Sequence, residues 1–278
     1  MKALLIGEIH AEADKELQDK TELQRTKIID QESYPDVEAV ILRVYTKFKG
    51  EEIAKFPNLK YLVTCSVGID NLDLTALKER GIELIHCPGS NANSVAEHTL
   101  YFMLSLLRED VKKPYAELKG KTVGIIGLGH IGKLVARKLK GFEVRMLAFD
   151  VISQDPELLK ELNVEMKEMD EVLSEADIVT IHVPYNKYTG DLINEEKLSK
   201  MKEGSFFINT SREEVVDNQA LIKLQNKFRG IALDLYNEEL QDKLDKHILL
   251  TDHVGAQGEE SFRKMCVDPI KEFLQKIV

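Results

Sequence analysis

At 278 residues the chain can bury a full core, as one large domain or two ordinary ones. A formal charge of −10, from 38 basic against 48 acidic residues, argues against a nucleic-acid surface, which needs a basic patch. No apolar run approaches membrane-spanning length, and Met1–Gly7 is too short an apolar start for a signal peptide, so no membrane partner is expected. Charged residues at 31% are spread along the chain and read as a solvated acidic surface with a thermophile-like lean. Cys65, Cys87 and Cys266 lack metal-type spacing and cannot all pair within one chain. They read as reduced thiols of a cytoplasmic protein, with no metal expected.

In chain order, Ala3–Ile6 reads as a strand, Ala13–Gln18 as a helix and Val37–Val44 as a buried strand. Helical spacing predicts Gly50–Phe56 and Leu72–Arg80, with strands at Leu59–Thr64 and Ile82–His86. Such alternation makes a parallel sheet covered on both faces. Asn93–Leu107 is a longer apolar helix suited to connect two domains, and the charged stretch Arg108–Pro114 follows it.

Next, Lys121–Ile126 reads as a strand, Gly127-Leu-Gly129-His-Ile-Gly132 as a glycine turn, and Lys133–Lys140 as a helix closed by Gly141. Val144–Phe149 is a second strand ending at Asp150, eighteen residues beyond Gly132. These parts suit a dinucleotide. Gly127 permits the tight turn, Gly129 lets the backbone approach a pyrophosphate, and Gly132 lets helix and strand pack closely. The helix N-terminus offers amides and a positive dipole end to phosphates. Asp150 can accept from ribose hydroxyls and repel a 2′-phosphate, and neither Val151 nor Ile152 offers that phosphate a cation. NAD is therefore expected rather than NADP.

Further strands are predicted at Ile178–Val183, Ser205–Asn209, Gly230–Leu235 and His247–Asp252, with helices at Met169–Ser174, Glu195–Met201 and Asn218–Asn226. That makes a second doubly wound unit of at least six strands. A last helix, Glu259–Ile277, could return to the first domain. In such sheets function sits past the carboxyl ends of strands, where Arg212, Glu239 (in the loop after Ile231–Tyr236) and His253 fall. Together an arginine can hold a carboxylate, a histidine can exchange a proton with a forming alcohol oxygen, and a carboxylate can orient that histidine and favour its charged form. Singly, each has an ordinary alternative as a surface ion pair, a solvated acid or a turn residue, and spacing alone does not choose.

Six stretches in order carry a resemblance over nearly the whole chain: Cys65–Leu74, Asn91–His98, Gly120–Gly132, Ala176–Pro184, Asn209–Arg212 and Thr251–Gly255. They are similar to those of the D-isomer-specific 2-hydroxyacid dehydrogenases. The resemblance implies two doubly wound parallel-sheet α/β domains. One is a flavodoxin-like substrate domain (1–89 plus 256–278) and the other a Rossmann NAD-binding domain (90–255), with the active site in the cleft between them. It implies NAD-dependent interconversion of a D-2-hydroxy acid and its 2-oxo acid, with Arg212 anchoring substrate, His253 as acid/base and Glu239 paired with it. Ser66, Val67 and Gly68 match the turn whose amides hold the substrate carboxylate. Arg43 matches a phosphate-binding position of phosphoglycerate dehydrogenases, a motif that relatives with other substrates share. Beside the glycine turn, the expected NAD contacts are Val67, His130, Ile131, Asp150, His182, Val183, Pro184, Thr210, Ser211, Asp234, Gly255 and Ala256.

His182 is expected to shape the cofactor pocket, His98 to be structural, and His10, His86 and His247 carry no specific signal. Glu213 stands where relatives usually have glycine, and Leu240 and Asp252 where proline is common. Asp252 adds a charge beside His253 that would favour its protonated form if the side chain faces it. The 108–120 segment is shorter than usual and lacks a frequent tryptophan, in a region where relatives form a dimer. A homodimer is expected. The second reading is an NAD(H)-sensing binding protein of the same fold, akin to corepressors.

Overall fold

Period-two alternation of apolar side chains sets both sheets. In β1 (Lys2–Ile6), Ala3 and Leu5 face one core while Leu4 and Ile6 face another. The same split repeats in β3 (Ala39–Leu42), where Ala39 and Ile41 oppose Val40 and Leu42. Strands apolar on both faces belong in a parallel sheet covered by helices on each side. The computed structural model describes residues 1–43, 46–108, 115–245 and 248–277. The chain divides into two units, 1–91 with 257–278, and 92–256.

In the first unit the five parallel strands run β2-β1-β3-β4-β5, with β2 at Glu22–Thr26, β4 at Tyr61–Thr64 and β5 at Glu83–Ile85. This is the flavodoxin-like order, whose switch point lies between β1 and β3. Helices α1 (Ala11–Lys20) and α11 (Glu259–Lys276) bury Leu17, Ile270 and Phe273 against one face. Helices α2 (Gly50–Ala54) and α3 (Leu74–Glu79) bury Ile53 and Leu77 against the other. Strand β2 escapes sequence reading because its residues are polar; pairing to β1 along a sheet edge makes it a strand. Val44, the last residue of the second predicted strand, lies outside the described residues.

The second unit opens with α4 (Ala92–Leu107), and the charged stretch after it, from 109 to 114, lies outside the described residues. Its seven parallel strands run β12-β11-β10-β9-β6-β7-β8. They comprise β6 (Thr122–Ile126), β7 (Arg145–Phe149), β8 (Val164–Met166), β9 (Ile178–Ile181), β10 (Phe206–Asn209), β11 (Gly230–Leu233) and β12 (Ile248–Leu250). Chain order reverses between β6 and β9, the nucleotide-binding switch point of this topology. Helices α4, α5 (His130–Leu139) and α6 (Pro156–Leu162) pack on Val123 and Ile125. On the opposite face, α7 (Met169–Glu175), α8 (Glu195–Lys200) and α9 (Asn218–Leu224) pack on Val179 and Ile181.

Three local expectations change. The helix after the glycine turn ends at Leu139, and a 3-10 turn over Lys140–Phe142 follows. The left-handed residue is Glu143, at φ 55°, rather than Gly141. Short α6 and β8 fill a stretch for which the sequence predicts no element. Glu239 lies in the first turn of a helix, α10 (Glu238–Lys243), rather than in a loop. Its sequence is polar except for buried Leu240, and the helix is set by the Asn237 cap. His247, at the start of the last predicted strand, lies outside the described residues.

Candidate active site

The glycine turn joins β6 to α5 at the switch point. Gly127 is left-handed at φ +95°, and a Cβ there would stand 2.9 Å from the backbone of His182. A Cβ on Gly132 would stand 2.1 Å from the Gly127 carbonyl oxygen. Both glycines are therefore demanded by the fold. Gly129 differs, since a Cβ there would meet nothing within 4 Å. It caps α5 with no side-chain acceptor, so the first-turn amides around His130 and Ile131 face open approach, and the helix carries no acid in its first turn.

Asp150, at the end of β7, accepts from Leu128 N (2.7 Å) and Ile152 N (2.8 Å), one oxygen each. Each oxygen keeps lone-pair capacity for a further donor. An open glycine, uncapped helix amides and a pinned carboxylate fit a dinucleotide. His130 is exposed and Ile131 half-buried on α5.

At the end of β9, His182 is buried, with Nε2 3.0 Å from Thr180 Oγ1 and Nδ1 3.4 Å from Thr210 Oγ1. Thr210 continues to Thr99 of α4 at 3.2 Å. Burial pushes the imidazole down from 6.5 to about 3, so it stays neutral. Val183 and exposed Pro184 follow on the same edge.

After β10, Asn209 Oδ1 accepts from Ser211 N (2.9 Å) and Ser211 Oγ (2.7 Å), while its amide donates to Arg212 O (2.8 Å). The Arg212 backbone is thereby fixed, and its Nη1 donates to Ser211 O at 3.0 Å.

The loop after β12 is tied to Asp234, which follows β11. His253 is left-handed (φ 53°), and its amide donates to Asp234 O at 2.7 Å. The buried Asp234 carboxylate accepts from Val254 N (2.9 Å), Gly255 N (2.9 Å) and Thr251 Oγ1 (2.6 Å). His98 of α4 reaches Thr251 Oγ1 at 3.1 Å and the Asp234 carboxylate at 3.4 Å, and Ser94 donates to Gly255 O at 2.7 Å. Asp234, expected as a cofactor contact, thus spends its carboxylate on the loop that carries His253. Only the polar type of His98 and Ser94, one helical turn apart on a largely apolar helix, hinted at their part. Half-buried Ala256 ends the loop.

Burial pushes the His253 imidazole down. Glu239 is engaged by Lys243 Nζ at 2.6 Å; that bond, with a further one from Gln219, holds its carboxyl below the usual range. The Asp252 carboxylate accepts from the Tyr236 hydroxyl at 2.6 Å, which pushes the phenol up. The expectation that it favours protonated His253 is corrected, because its charge serves Tyr236.

In the first unit, Ser66, Val67 and Gly68 follow β4 and are half-buried. Ser66 Oγ pairs with Thr64 Oγ1 at 2.7 Å and donates to Gly68 O at 3.2 Å. Arg43, at the end of β3, donates from Nη1 to Cys65 O (3.1 Å) and lies 5.1 Å over the Phe262 ring. It braces the residue that opens the Ser66–Gly68 turn. Among the described residues no His, Cys, Asp and Glu group could hold a metal, and no helix is long and apolar enough to cross a membrane.

A Rossmann-order sheet with a glycine turn and a terminal aspartate at its switch point defines a dinucleotide-binding protein. Residues 92–255 match the model for the D-isomer specific 2-hydroxyacid dehydrogenase, NAD binding domain, and the chain belongs to that family. It is 34% identical to a D-3-phosphoglycerate dehydrogenase of Archaeoglobus fulgidus over 88% of this chain and 50% of that one. It is 36% identical to a glyoxylate reductase of Thermofilum pendens over 83% of this chain and 75% of the relative. The structure matches a D-lactate dehydrogenase from Aquifex aeolicus, complexed with NAD and lactic acid, with a TM-score of 0.88 at 29% identity. That match covers 100% of this chain and 95% of the other. The chain spans about half the length of the phosphoglycerate dehydrogenase it resembles.

Proposed function

We propose that this chain interconverts a D-2-hydroxy acid and its 2-oxo acid, using NAD. The observation that carries the reading is His253, held in a left-handed turn by Asp234 past the carboxyl edge of the same sheet that presents Arg212 and the glycine turn. Bound NAD supplies or accepts the hydride at substrate C2. Gly127, Gly129, His130, Ile131 and Gly132 take the pyrophosphate, and Asp150 takes the ribose. His182, Val183, Pro184, Thr210, Ser211, Asp234, Gly255 and Ala256 shape the rest of the cofactor site. Arg212 pairs with the substrate carboxylate and polarises its carbonyl. In the first unit, the turn Ser66–Val67–Gly68 offers amides suited to a carboxylate.

His253 gives the proton to the alkoxide oxygen in reduction and removes it in oxidation. Burial disfavours the charged imidazole, which suits it as a base. Glu239 must leave Lys243 to support the charged imidazole. Arg43 is the residue that speaks for a phosphorylated substrate such as D-3-phosphoglycerate. The reduced thiols and the family likeness support a cytoplasmic homodimer.

NADH oxidation followed by absorbance tests the reading, against phosphohydroxypyruvate, hydroxypyruvate, glyoxylate, pyruvate and a branched 2-oxo acid, each repeated with NADPH. Preference for one acid with NADH supports it and names the substrate. Tight NADH binding without turnover on any acid would sink it in favour of an NAD(H)-sensing protein.

A further inference from the structure

Glu213 replaces a glycine that relatives usually place after the substrate-binding arginine, and the proposed chemistry gives it no part. Its side chain does not bind its neighbour Arg212. Glu213 Oε1 instead accepts from Asn218 Nδ2 at 2.7 Å, in the first turn of α9, and from Asn237 Nδ2. Asn237 is the cap of α10, its Oδ1 accepting from Leu240 N at 2.9 Å. One carboxylate oxygen therefore joins three pieces of chain: the turn that begins at Arg212, the start of α9, and the cap of the helix that carries Glu239.

A second link lies beside the first. Gln219, next to Asn218, bonds the Glu239 carboxylate. The start of α9 thus touches both acids, Glu213 through Asn218 and Glu239 through Gln219. Arg212 O is in turn fixed by Asn209 at 2.8 Å, so the clamp is anchored on β10. Partial burial raises the Glu213 carboxyl, as expected of a carboxylate whose partners are neutral amides rather than a cation. A salt bridge would have held it low.

We propose that Glu213 is a positioning residue, a three-way clamp that holds the Glu239 helix in fixed register with the Arg212 turn. The inference rests on the function proposed above for Arg212 and Glu239. Helix α10 is one short polar segment that buries only Leu240, so its own packing places it weakly. The Asn237 cap fixes its start, and Glu213 fixes Asn237. A glycine at 213 offers no such acceptor.

The test compares E213Q and E213A with the wild-type holoenzyme, by hydrogen exchange and by steady-state kinetics on the acid that wild type turns over best. The clamp needs an acceptor oxygen and not a charge, so E213Q should behave as wild type within about twofold in kcat. E213A should speed exchange of the Leu240 amide by about tenfold or more, and lower kcat several-fold with little change in KM for NADH. Slow exchange at Leu240 in E213A would overturn the clamp. Equal losses in E213Q and E213A would also overturn it, by showing that the charge is what matters. If wild type turns over no acid, the proposed activity fails, while the exchange of Leu240 still decides the clamp.

Discussion

His253 takes its left-handed backbone from Asp234. Three successive amides, those of His253, Val254 and Gly255, donate to Asp234, the first to its carbonyl and the others to its carboxylate. A left-handed non-glycine residue costs about 1–2 kcal/mol, so this turn persists because its surroundings over-determine it. A Cβ on Gly255 would stand 2.7 Å from Asp234 Oδ2, so only glycine lets that amide come so close.

Asparagine at 234 would keep the shape and turn one acceptor into a donor facing an amide. D234N should lose about 3 kcal/mol of stability and at least an order of magnitude in turnover. T251V removes one hydroxyl and should cost about 1–2 kcal/mol. Denaturant melts with parallel kinetics check both, and D234N with wild-type turnover would show that the loop holds itself.

The glycine turn separates folding from binding. G132A puts a methyl group 2.1 Å from a backbone oxygen, so the α5–β6 packing must shift, at about 1–3 kcal/mol. G129A meets nothing within 4 Å and should fold within about 0.5 kcal/mol of wild type. Its methyl group would nevertheless occupy the approach to the α5 amides, weakening NADH binding by about tenfold, or 1.4 kcal/mol. Thermal melts and NADH fluorescence titrations measure the two effects. Unchanged NADH affinity in G129A would move the pyrophosphate elsewhere.

The double α/β architecture was legible because strands buried on both faces must be apolar throughout, as Val40-Ile41-Leu42 and Phe206-Phe207-Ile208 are. Segments recruited by neighbours escaped. The polar Glu22–Thr26 is a strand through its pairing to β1, and Glu238–Lys243 is a helix through its cap and one buried leucine. In the site, residue types at strand ends marked Arg212 and His253. Orientation could not be read that way. Whether Asp252 faced His253 or Tyr236, and whether Glu239 met His253 or Lys243, depends on the angle at which a loop or short helix leaves the sheet.

Lys243 Nζ holds the Glu239 carboxylate at 2.6 Å, whereas the proposed function pairs that carboxylate with His253. Replacing the lysine in K243M removes the bond that lowers the Glu239 carboxyl, which should rise toward its ordinary value. On the proposed function, a released Glu239 pairs with the imidazole and favours its charged form. His253, now pushed down by burial, would then titrate higher. On the proposed mechanism reduction needs protonated His253, so its rate should fall as pH rises through that pKa. In K243M this fall should come at higher pH. A profile of kcat/KM against pH that does not move would show that Glu239 does not act through His253.

His182 makes the fold itself sensitive to acid. Its pKa falls from 6.5 to about 3 through burial alone, so the unfolded chain binds a proton that the folded one refuses. A depressed folded pKa means stability that is present above about 6.5 and lost as pH falls toward about 3. Each unit is worth about 1.4 kcal/mol, so roughly 2 kcal/mol should go between pH 6.5 and 5. Carboxylates held by lysines and arginines, such as Glu97 and Asp177, add losses of the same sign at lower pH. H182Q isolates the histidine, since glutamine can hydrogen-bond to Thr180 without titrating. H182Q should be the less stable protein at pH 7 and lose less than wild type on acidification. Parallel stability curves for the two proteins from pH 7 to 5 would show that His182 is protonated without opening the fold.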